Sequence, residues 1–219
     1  MKKLMHTSQT LCLAALLILV GGCSKTPGIG GAAGDAAPET VKVNAQFAKD
    51  LKLDEQQDFE DAKRGLVSKP EGKITDANGQ TLIDFDAFKF IDGPAPATVN
   101  PSLWRHAQLD SQVGLFKVTD GVYQVRGFDM SNMTLVEGKS GWIVIDTLTA
   151  RESAAAALAF VRKHLGEKPV SAIVFTHSHI DHFGGALGVV TAAEVAARKI
   201  PVVASEGFME EATDRKAHV

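Results

Sequence analysis

Cysteine is scarce in this sequence of 219 residues, and the only two, Cys12 and Cys23, lie near its start. Because no cysteine follows Cys23, residues 24–219 can form no disulfide bond and offer no thiol nucleophile. A fold of these residues must therefore be held by a hydrophobic core. The hydrophobic content of 45% is in the ordinary range for a globular protein.

The chain also lacks an excess of positive charge. Its 23 lysines and arginines are outnumbered by 26 aspartates and glutamates, which gives a formal net charge of −3. The basic residues form no cluster with interleaved aromatic residues, as they would on a surface that binds nucleic acid. We therefore expect no nucleic-acid partner.

No hydrophobic run is long enough to cross a bilayer. The longest, residues 11–20, follows Met1-Lys2-Lys3 and is shorter than the about 20 residues that a spanning helix needs. A charged start and a short apolar core are typical of an export signal. Gly21 and Gly22 before Cys23 resemble the lipobox of bacterial lipoproteins, in which Cys23 becomes the lipidated first residue. Cleavage nearby without lipidation is the alternative.

These features predict three parts of the chain: an export signal with lipobox at residues 1–23, a flexible tether at 24–42 and a folded part at 43–219. The tether is rich in Gly, Ala and Pro and has too few bulky side chains to offset its ordering entropy. The expected location is the periplasm or, through a lipid, the outer membrane of a bacterium, with secretion as the alternative. Membrane contact is expected only through the signal or the lipid anchor.

Strand and helix patterns alternate in the second half of the chain. Residues 115–145 contain four short segments rich in β-branched and aromatic residues, separated by turns, which predict a meander. Residues 170–175 have the composition of a strand buried on both faces. The alanine-rich residues 149–165, followed by Gly166, predict a helix. The sequence therefore predicts an α/β fold in which sheet layers are covered by helices.

The flanking segments carry weaker patterns. Residues 43–65 predict one or two surface helices, and Asn78-Gly79 predicts a hairpin turn. Ser102 is the expected N-cap of a short helix over residues 102–107.

Four side chains of the metal-ligand type follow the strand predicted at 170–175. They form the pattern His177-x-His179-x-Asp181-His182. Imidazole and carboxylate groups suit Zn²⁺ or a similar cation. We expect two adjacent metal ions, because crowding all four groups of so short a loop onto one ion would be sterically difficult. The alternative is a polar loop whose histidines only cap the next helix.

Asp146 directly follows the strand predicted at 141–145. Its carboxylate would lie at the carboxyl edge of the sheet, where ligand sites of layered α/β folds are found. Two roles are equally open for Asp146. It is either a hydrogen-bond partner that orients a metal ligand or a cap at the entry to the next helix.

The metal-ligand pattern after a buried strand, preceded by a strand that ends in aspartate, resembles the metallo-β-lactamase superfamily of zinc-dependent hydrolases. Other stretches resemble the N-terminal part of the linear alkylsulfatases, which cleave primary alkyl sulfate esters. These stretches are residues 99–105, 115–127, 131–135, 141–146, 176–185 and 206–211.

The resemblance implies that residues 43–219 form the N-terminal half of an αββα sandwich, truncated within the hydrolase domain. It implies that His177 and His179 bind one Zn²⁺, and that Asp181 and His182 bind a second. Asp181 would also orient the attacking water. A small alkyl sulfate is the implied substrate, and a homodimer is implied for full-length family members.

In that family, further acidic and histidine ligands lie later in the chain, whereas only 37 residues follow His182 here (219 minus 182). We therefore expect an N-terminal fragment with little or no activity of its own. Two alternatives stay open. One is another hydrolase of the same superfamily, acting on a lactam, thioester or lactone, and the other is a non-catalytic, exported zinc-binding lipoprotein.

Overall fold

The computed structural model describes residues 36–214. The predicted export signal, Cys23 and residues 24–35 of the predicted tether lie outside the described residues. Among the helices of residues 36–214, none is both long and apolar enough to cross a membrane.

Helices and strands alternate along the described chain. The helices are α1 (Pro38–Asp50), α2 (Gln57–Lys63), α3 (Pro101–Asp110), α4 (Arg151–Leu165), α5 (Ile180–Phe183), α6 (Ala186–Val189), α7 (Ala192–Arg198) and α8 (Phe208–Asp214). The strands are β1 (Leu66–Ser68), β2 (Lys73–Thr75), β3 (Thr81–Asp84), β4 (Gly114–Thr119), β5 (Val122–Arg126), β6 (Met133–Glu137), β7 (Trp142–Ile145), β8 (Val170–Val174) and β9 (Val202–Val203).

Seven strands form one mixed sheet in the order β1-β4-β5-β6-β7-β8-β9, and β2 and β3 form a separate hairpin. The neighbours from β1 to β7 are antiparallel, so the predicted meander is confirmed. β8 and β9 add to the sheet in parallel, with Ile145 of β7 beside Val174 of β8. The carboxyl ends of β7 and β8 therefore lie at the same edge of the sheet.

The core lies between one face of this sheet and α4. Leu135, Trp142 and Val144 are fully buried, and they belong to the same cluster as Leu158 and Val161 of α4. Side chains alternate between the faces of a strand, and the opposite face of β6 and β7 is only half-buried. The result is the mixed α/β layering that the sequence predicts.

Two helix starts differ from the prediction. α1 begins at Pro38, inside residues 24–42, where a tether was expected, because proline favours the first helical position and Glu39 complements the positive end of the helix. The prediction that Ser102 caps α3 is wrong. Asn100 is the cap, since its side-chain oxygen accepts a hydrogen bond from the Ser102 amide and Pro101 takes the first helical position.

α4 ends as predicted at Leu165, with Gly166 at φ 90° after it. At its start, the N-cap residue Ala150 makes no side-chain hydrogen bond to the helix. Asp129, which lies in the connection between β5 and β6, takes this role, because its Oδ2 accepts hydrogen bonds of 3.2 Å from the amides of Thr149 and Ala150. The 127–132 connection is thereby fixed to the start of α4.

Candidate metal centre

The four predicted ligands lie together on the loop that leaves β8 and continues into α5. The ring centroid of His177 is 4.5 Å from that of His179 and 4.0 Å from that of His182. Asp181 Oδ2 lies 3.2 Å from His182 Nε2. The structure therefore brings all four side chains into one cluster at the carboxyl edge of the sheet.

Asp146 reaches this cluster from the end of the neighbouring strand, β7. Its carboxylate is almost fully buried, and its Oδ2 lies 2.7 Å from His182 Nδ1. It also accepts hydrogen bonds from the amide of Thr176 at 2.9 Å and from the Thr176 hydroxyl at 2.8 Å. The side chain that holds the start of α4 is Asp129, so Asp146 contacts a predicted ligand and does not cap this helix.

These hydrogen bonds assign a proton to each of two imidazole rings. Because Asp146 can only accept, the proton of His182 lies on Nδ1, and the lone pair on Nε2 is left for another partner. The Thr176 hydroxyl donates to Asp146, so its oxygen accepts from His177 Nδ1, 3.0 Å away. Asp146 thus orients His182 directly and His177 through Thr176, as hydrogen-bonded partners of metal-binding histidines do.

The backbone after β7 turns sharply in order to present Asp146. Asp146 and Leu148 have φ values of 58° and 64°, a left-handed conformation that few residues other than glycine adopt. Such residues cost about 1–3 kcal/mol each and persist where the surroundings determine the backbone. The Thr147 amide between them donates to the carbonyl oxygen of His182 at 2.7 Å. The turn is therefore fixed by the metal-ligand loop itself.

Two glycines after the ligands allow this close approach. A Cβ atom on Gly185 would lie 2.1 Å from the carbonyl oxygen of Thr147, and one on Gly184 would lie 2.4 Å from that of Thr149. Any side chain at these positions would push the loop away from the turn that carries Asp146.

One pair of donor atoms has a spacing that fits zinc, but the described residues do not form a complete cage. Among residues 36–214, no group of three or more His, Cys, Asp or Glu side chains is arranged to hold a metal ion. The 3.2 Å between Asp181 Oδ2 and His182 Nε2 is close to the about 3.3 Å that separates two tetrahedral ligands at about 2.0 Å from zinc. The residues therefore fit zinc as part of a ligand set.

An open cavity of about 620 Å³ lies beside the 127–132 connection and is lined by Asp58, Arg126 and Asp129 among others, but not by the four predicted ligands.

Burial raises the pKa of the Asp129 carboxyl, but hydrogen bonds from Thr149 and from the Met130 amide outweigh this effect, so the pKa lies below its ordinary value. Burial lowers the pKa of Arg126.

Several residues that hold the loop have no local signal in the sequence. The Ser131 hydroxyl donates to the carbonyl oxygen of Asp181, and the Ser178 hydroxyl donates to Glu211 of α8. These partners are 50 and 33 residues apart in sequence. Thr176 stands next to His177, so its position in the sequence could have indicated that it contacts a predicted ligand.

The chain is similar to known proteins. Residues 126–219 match the family model of the metallo-β-lactamase superfamily. Over most of its length the chain is similar to alkylsulfatases. It is 44% identical over 216 residues to an (R)-specific secondary-alkylsulfatase of Pseudomonas sp., covering 97% of this chain and 32% of the relative.

Two further curated relatives are also 44% identical. A linear primary-alkylsulfatase of Pseudomonas sp. matches over 213 residues, 96% of this chain and 31% of its own length. An alkyl/aryl-sulfatase of Saccharomyces cerevisiae matches over 178 residues, 80% of this chain and 28% of its own length. The chain thus spans about a third of the length of these relatives.

A solved structure supports the fold. The stereoselective inverting sec-alkylsulfatase from Pseudomonas sp. superposes with a TM-score of 0.78 at 49% identity, over 82% of this chain and 28% of that one. The predicted family and the predicted α/β fold are confirmed, and the relatives are hydrolases.

Proposed function

We propose that this chain supplies the metal-binding loop of a zinc-dependent hydrolase of alkyl sulfate esters. The observation that carries the proposal is the cluster of His177, His179, Asp181 and His182 at the carboxyl edge of the sheet, held by Asp146. The substrate class is supported by 44% identity to secondary and primary alkylsulfatases over nearly the whole chain.

In this proposal His177 and His179 share one Zn²⁺, and Asp181 and His182 share a second. Bound zinc would polarise the sulfate ester and lower the pKa of water. Asp146 keeps the Nδ1 proton of His182 in place, so that the lone pair on Nε2 would be available to the metal ion. Asp181 has two carboxylate oxygens, one to bind the metal and one to accept a hydrogen bond from the attacking water and so orient it.

Two groups per ion are fewer than the three protein ligands that catalytic zinc sites use. We therefore propose that the 219 residues alone bind zinc weakly and hydrolyse alkyl sulfates slowly or not at all. The remaining ligands would come from parts of the complete gene product outside these residues.

The test compares the complete gene product with the 219-residue chain. Both are loaded with Zn²⁺ and given primary and secondary alkyl sulfates, a lactam, a thioester and a lactone, and zinc content is measured beside turnover. We expect sulfate release by the complete product and its loss in His177→Ala and Asp181→Asn. His106→Ala, on the exposed surface of α3, is the control and should keep activity.

Two results would contradict the proposal. Turnover of the lactam, thioester or lactone without alkyl sulfate turnover would indicate another hydrolase of the same superfamily. Tight zinc binding by the 219-residue chain, without turnover by either protein, would favour a non-catalytic zinc-binding lipoprotein.

We also propose that residues 1–23 direct export and that Cys23 is lipidated. The support is the charged start, the short apolar run and the small residues before Cys23. Labelled palmitate should be incorporated by the protein and not by Cys23→Ser, and incorporation by both would overturn lipidation at Cys23.

A further inference from the structure

One hydrogen bond joins the metal-ligand loop to α8. Ser178 stands between His177 and His179, and only 4% of it is exposed. Its Oγ donates to Glu211 Oε2 at 2.6 Å. A hydroxyl that donates to a carboxylate makes one of the stronger hydrogen bonds found in proteins.

α8 is held against the loop by an aromatic cluster. Phe208, at the start of α8, is 8% exposed, and its ring stacks on that of Phe175 with centroids 5.6 Å apart. The same ring meets the edge of Phe183 at 5.3 Å. Phe175 precedes the four ligands and Phe183 follows them, so α8 rests on both ends of the loop.

The hydrogen bond and the aromatic contact lie on the same face of α8. Glu211 follows Phe208 by three residues, a spacing that places two side chains side by side on a helix. Phe208 therefore docks the helix and holds the Glu211 carboxylate over Ser178.

The direction of Ser178 bears on its two histidine neighbours. The rings of His177 and His179 lie 4.5 Å apart, on one side of the loop, while the Ser178 side chain is buried under α8. If Ser178 turned away from Glu211, the backbone between the histidines would rotate, and the two imidazole rings, now 4.5 Å apart, would change their relative position.

We propose that Glu211 is a positioning residue, which acts through Ser178 to hold His177 and His179 at the spacing that one Zn²⁺ requires. This inference rests on the proposed zinc binding and adds to it a residue on a separate helix. In this arrangement Glu211 acts through the hydrogen bond that its Oε2 accepts from the Ser178 hydroxyl, and not as a metal ligand.

The test measures zinc affinity, by competition with a chelating dye, in the complete gene product. Ser178→Ala and Glu211→Ala should each weaken Zn²⁺ binding by about 10- to 100-fold, the usual effect of losing a partner that orients metal ligands. The zinc affinity of the double variant should equal that of the single variant with the lower affinity, because both changes remove the same interaction. Glu211→Gln keeps an acceptor oxygen and should recover most of the affinity.

The matched control is Glu210→Ala, which removes the neighbouring, exposed carboxylate from the same helix and should leave zinc affinity unchanged. The absorption spectrum of bound Co²⁺ is recorded for each variant, because it responds to ligand geometry and not to overall stability. We expect it to change in Ser178→Ala and Glu211→Ala and to be unchanged in Glu210→Ala.

Three outcomes would overturn the inference. Unchanged zinc affinity, with only a lower melting temperature of the metal-free protein, would mean that the pair merely stabilises α8. Loss of a metal ion in Glu211→Ala but not in Ser178→Ala would make Glu211 a ligand. A wild-type protein that binds neither Zn²⁺ nor Co²⁺ would overturn the proposed function, and this inference with it.

Discussion

Different forces stabilise two regions of the molecule, the first three helices and the sheet with α4. No residue of α1 or α2 is buried, and Trp104 is the one buried residue of α3. In contrast, α4 alone buries five residues, and the strands beside it bury several large side chains completely. The sheet region rests on apolar burial, whereas α1 and α2 are attached by exposed polar contacts.

The residues that orient the metal loop also come from the sheet region and from α8. Asp146, Ser131 and Glu211 all contact the loop, and none of them lies in α1, α2 or α3. Substitutions should therefore fall into two groups. Those in the sheet region should reduce stability or zinc affinity strongly, and those in the first helices should do neither.

The largest effect is expected in the core. Trp142 of β7 is fully buried, and its ring meets Tyr123 edge-on with centroids 5.9 Å apart. Trp142→Ala should lower the free energy of unfolding by about 3–5 kcal/mol, because it leaves a large cavity. Val41→Ala on α1 should change it by less than about 0.5 kcal/mol. Urea unfolding measures both, and equal losses would contradict the comparison.

A smaller effect is expected at the close approach beneath the loop. Gly185→Ala should cost about 1–3 kcal/mol by overpacking, and it should also weaken zinc binding by displacing the loop from Asp146. Gly72→Ala adds a methyl group in open space at φ 77° and should cost about 1 kcal/mol for backbone strain alone. Zinc affinity separates the two, and an unchanged affinity in Gly185→Ala would show that the loop tolerates the shift.

Asp146→Asn should act on zinc affinity more than on folding. Asparagine tolerates the left-handed φ of 58° better than most residues, so the turn should survive. The neutral amide no longer attracts the Nδ1 proton of His182, and zinc affinity should fall by about 10- to 100-fold. Calorimetric titration measures it. An unchanged affinity would mean that Asp146 serves only the turn.

The pH dependence of stability tests Asp129. Its pKa is lowered in the folded protein, so its contribution is present above the unfolded pKa of about 3.9 and is lost as pH falls through the folded pKa. Asp129→Asn should cost about 1.5 kcal/mol at pH 7 and should lose less stability than wild type on acidification below about pH 4. Parallel pH profiles for the two proteins would contradict this role.

The smallest effect is expected for the contacts of the first helices. Arg105 of α3 bridges Glu55 at 3.1 Å and Asp58 at 2.9 Å, and both partners are well exposed. Arg105→Gln should cost about 1 kcal/mol or less. Amide hydrogen exchange should rise in α2 and stay unchanged in β7 and β8. A loss of zinc affinity in this variant would contradict the expectation that the first helices do not affect the metal loop.

The sequence predicts what depends on local pattern. The meander, the end of α4 at Gly166 and the grouping of His177 to His182 all follow from residue spacing. The cap of α3 shows the limit of local pattern, because Asn100 and Ser102 are both good capping residues. Only the position of Pro101 between them favours Asn100.

Contacts between distant segments were not predictable from the sequence. Asp129 holds the start of α4 in place of a local cap, and Ser178 meets Glu211 across 33 residues. Such pairs depend on how the sheet, the loop and α8 pack, and a single serine or glutamate gives no sign of its partner. Thus the grouping of His177, His179, Asp181 and His182 was predictable, but not the side chains that hold them.

The order in which Asp146 and His182 are synthesised has a consequence for assembly in the cell. They are 36 residues apart, and at about 5–20 residues per second the ribosome needs roughly 2–7 s to pass from one to the other. During this interval the turn after β7 lacks the carbonyl group of His182, which accepts from the Thr147 amide in the folded chain. The cluster is therefore completed by its later half, because His177, His179, Asp181 and His182 all follow Asp146 in the chain.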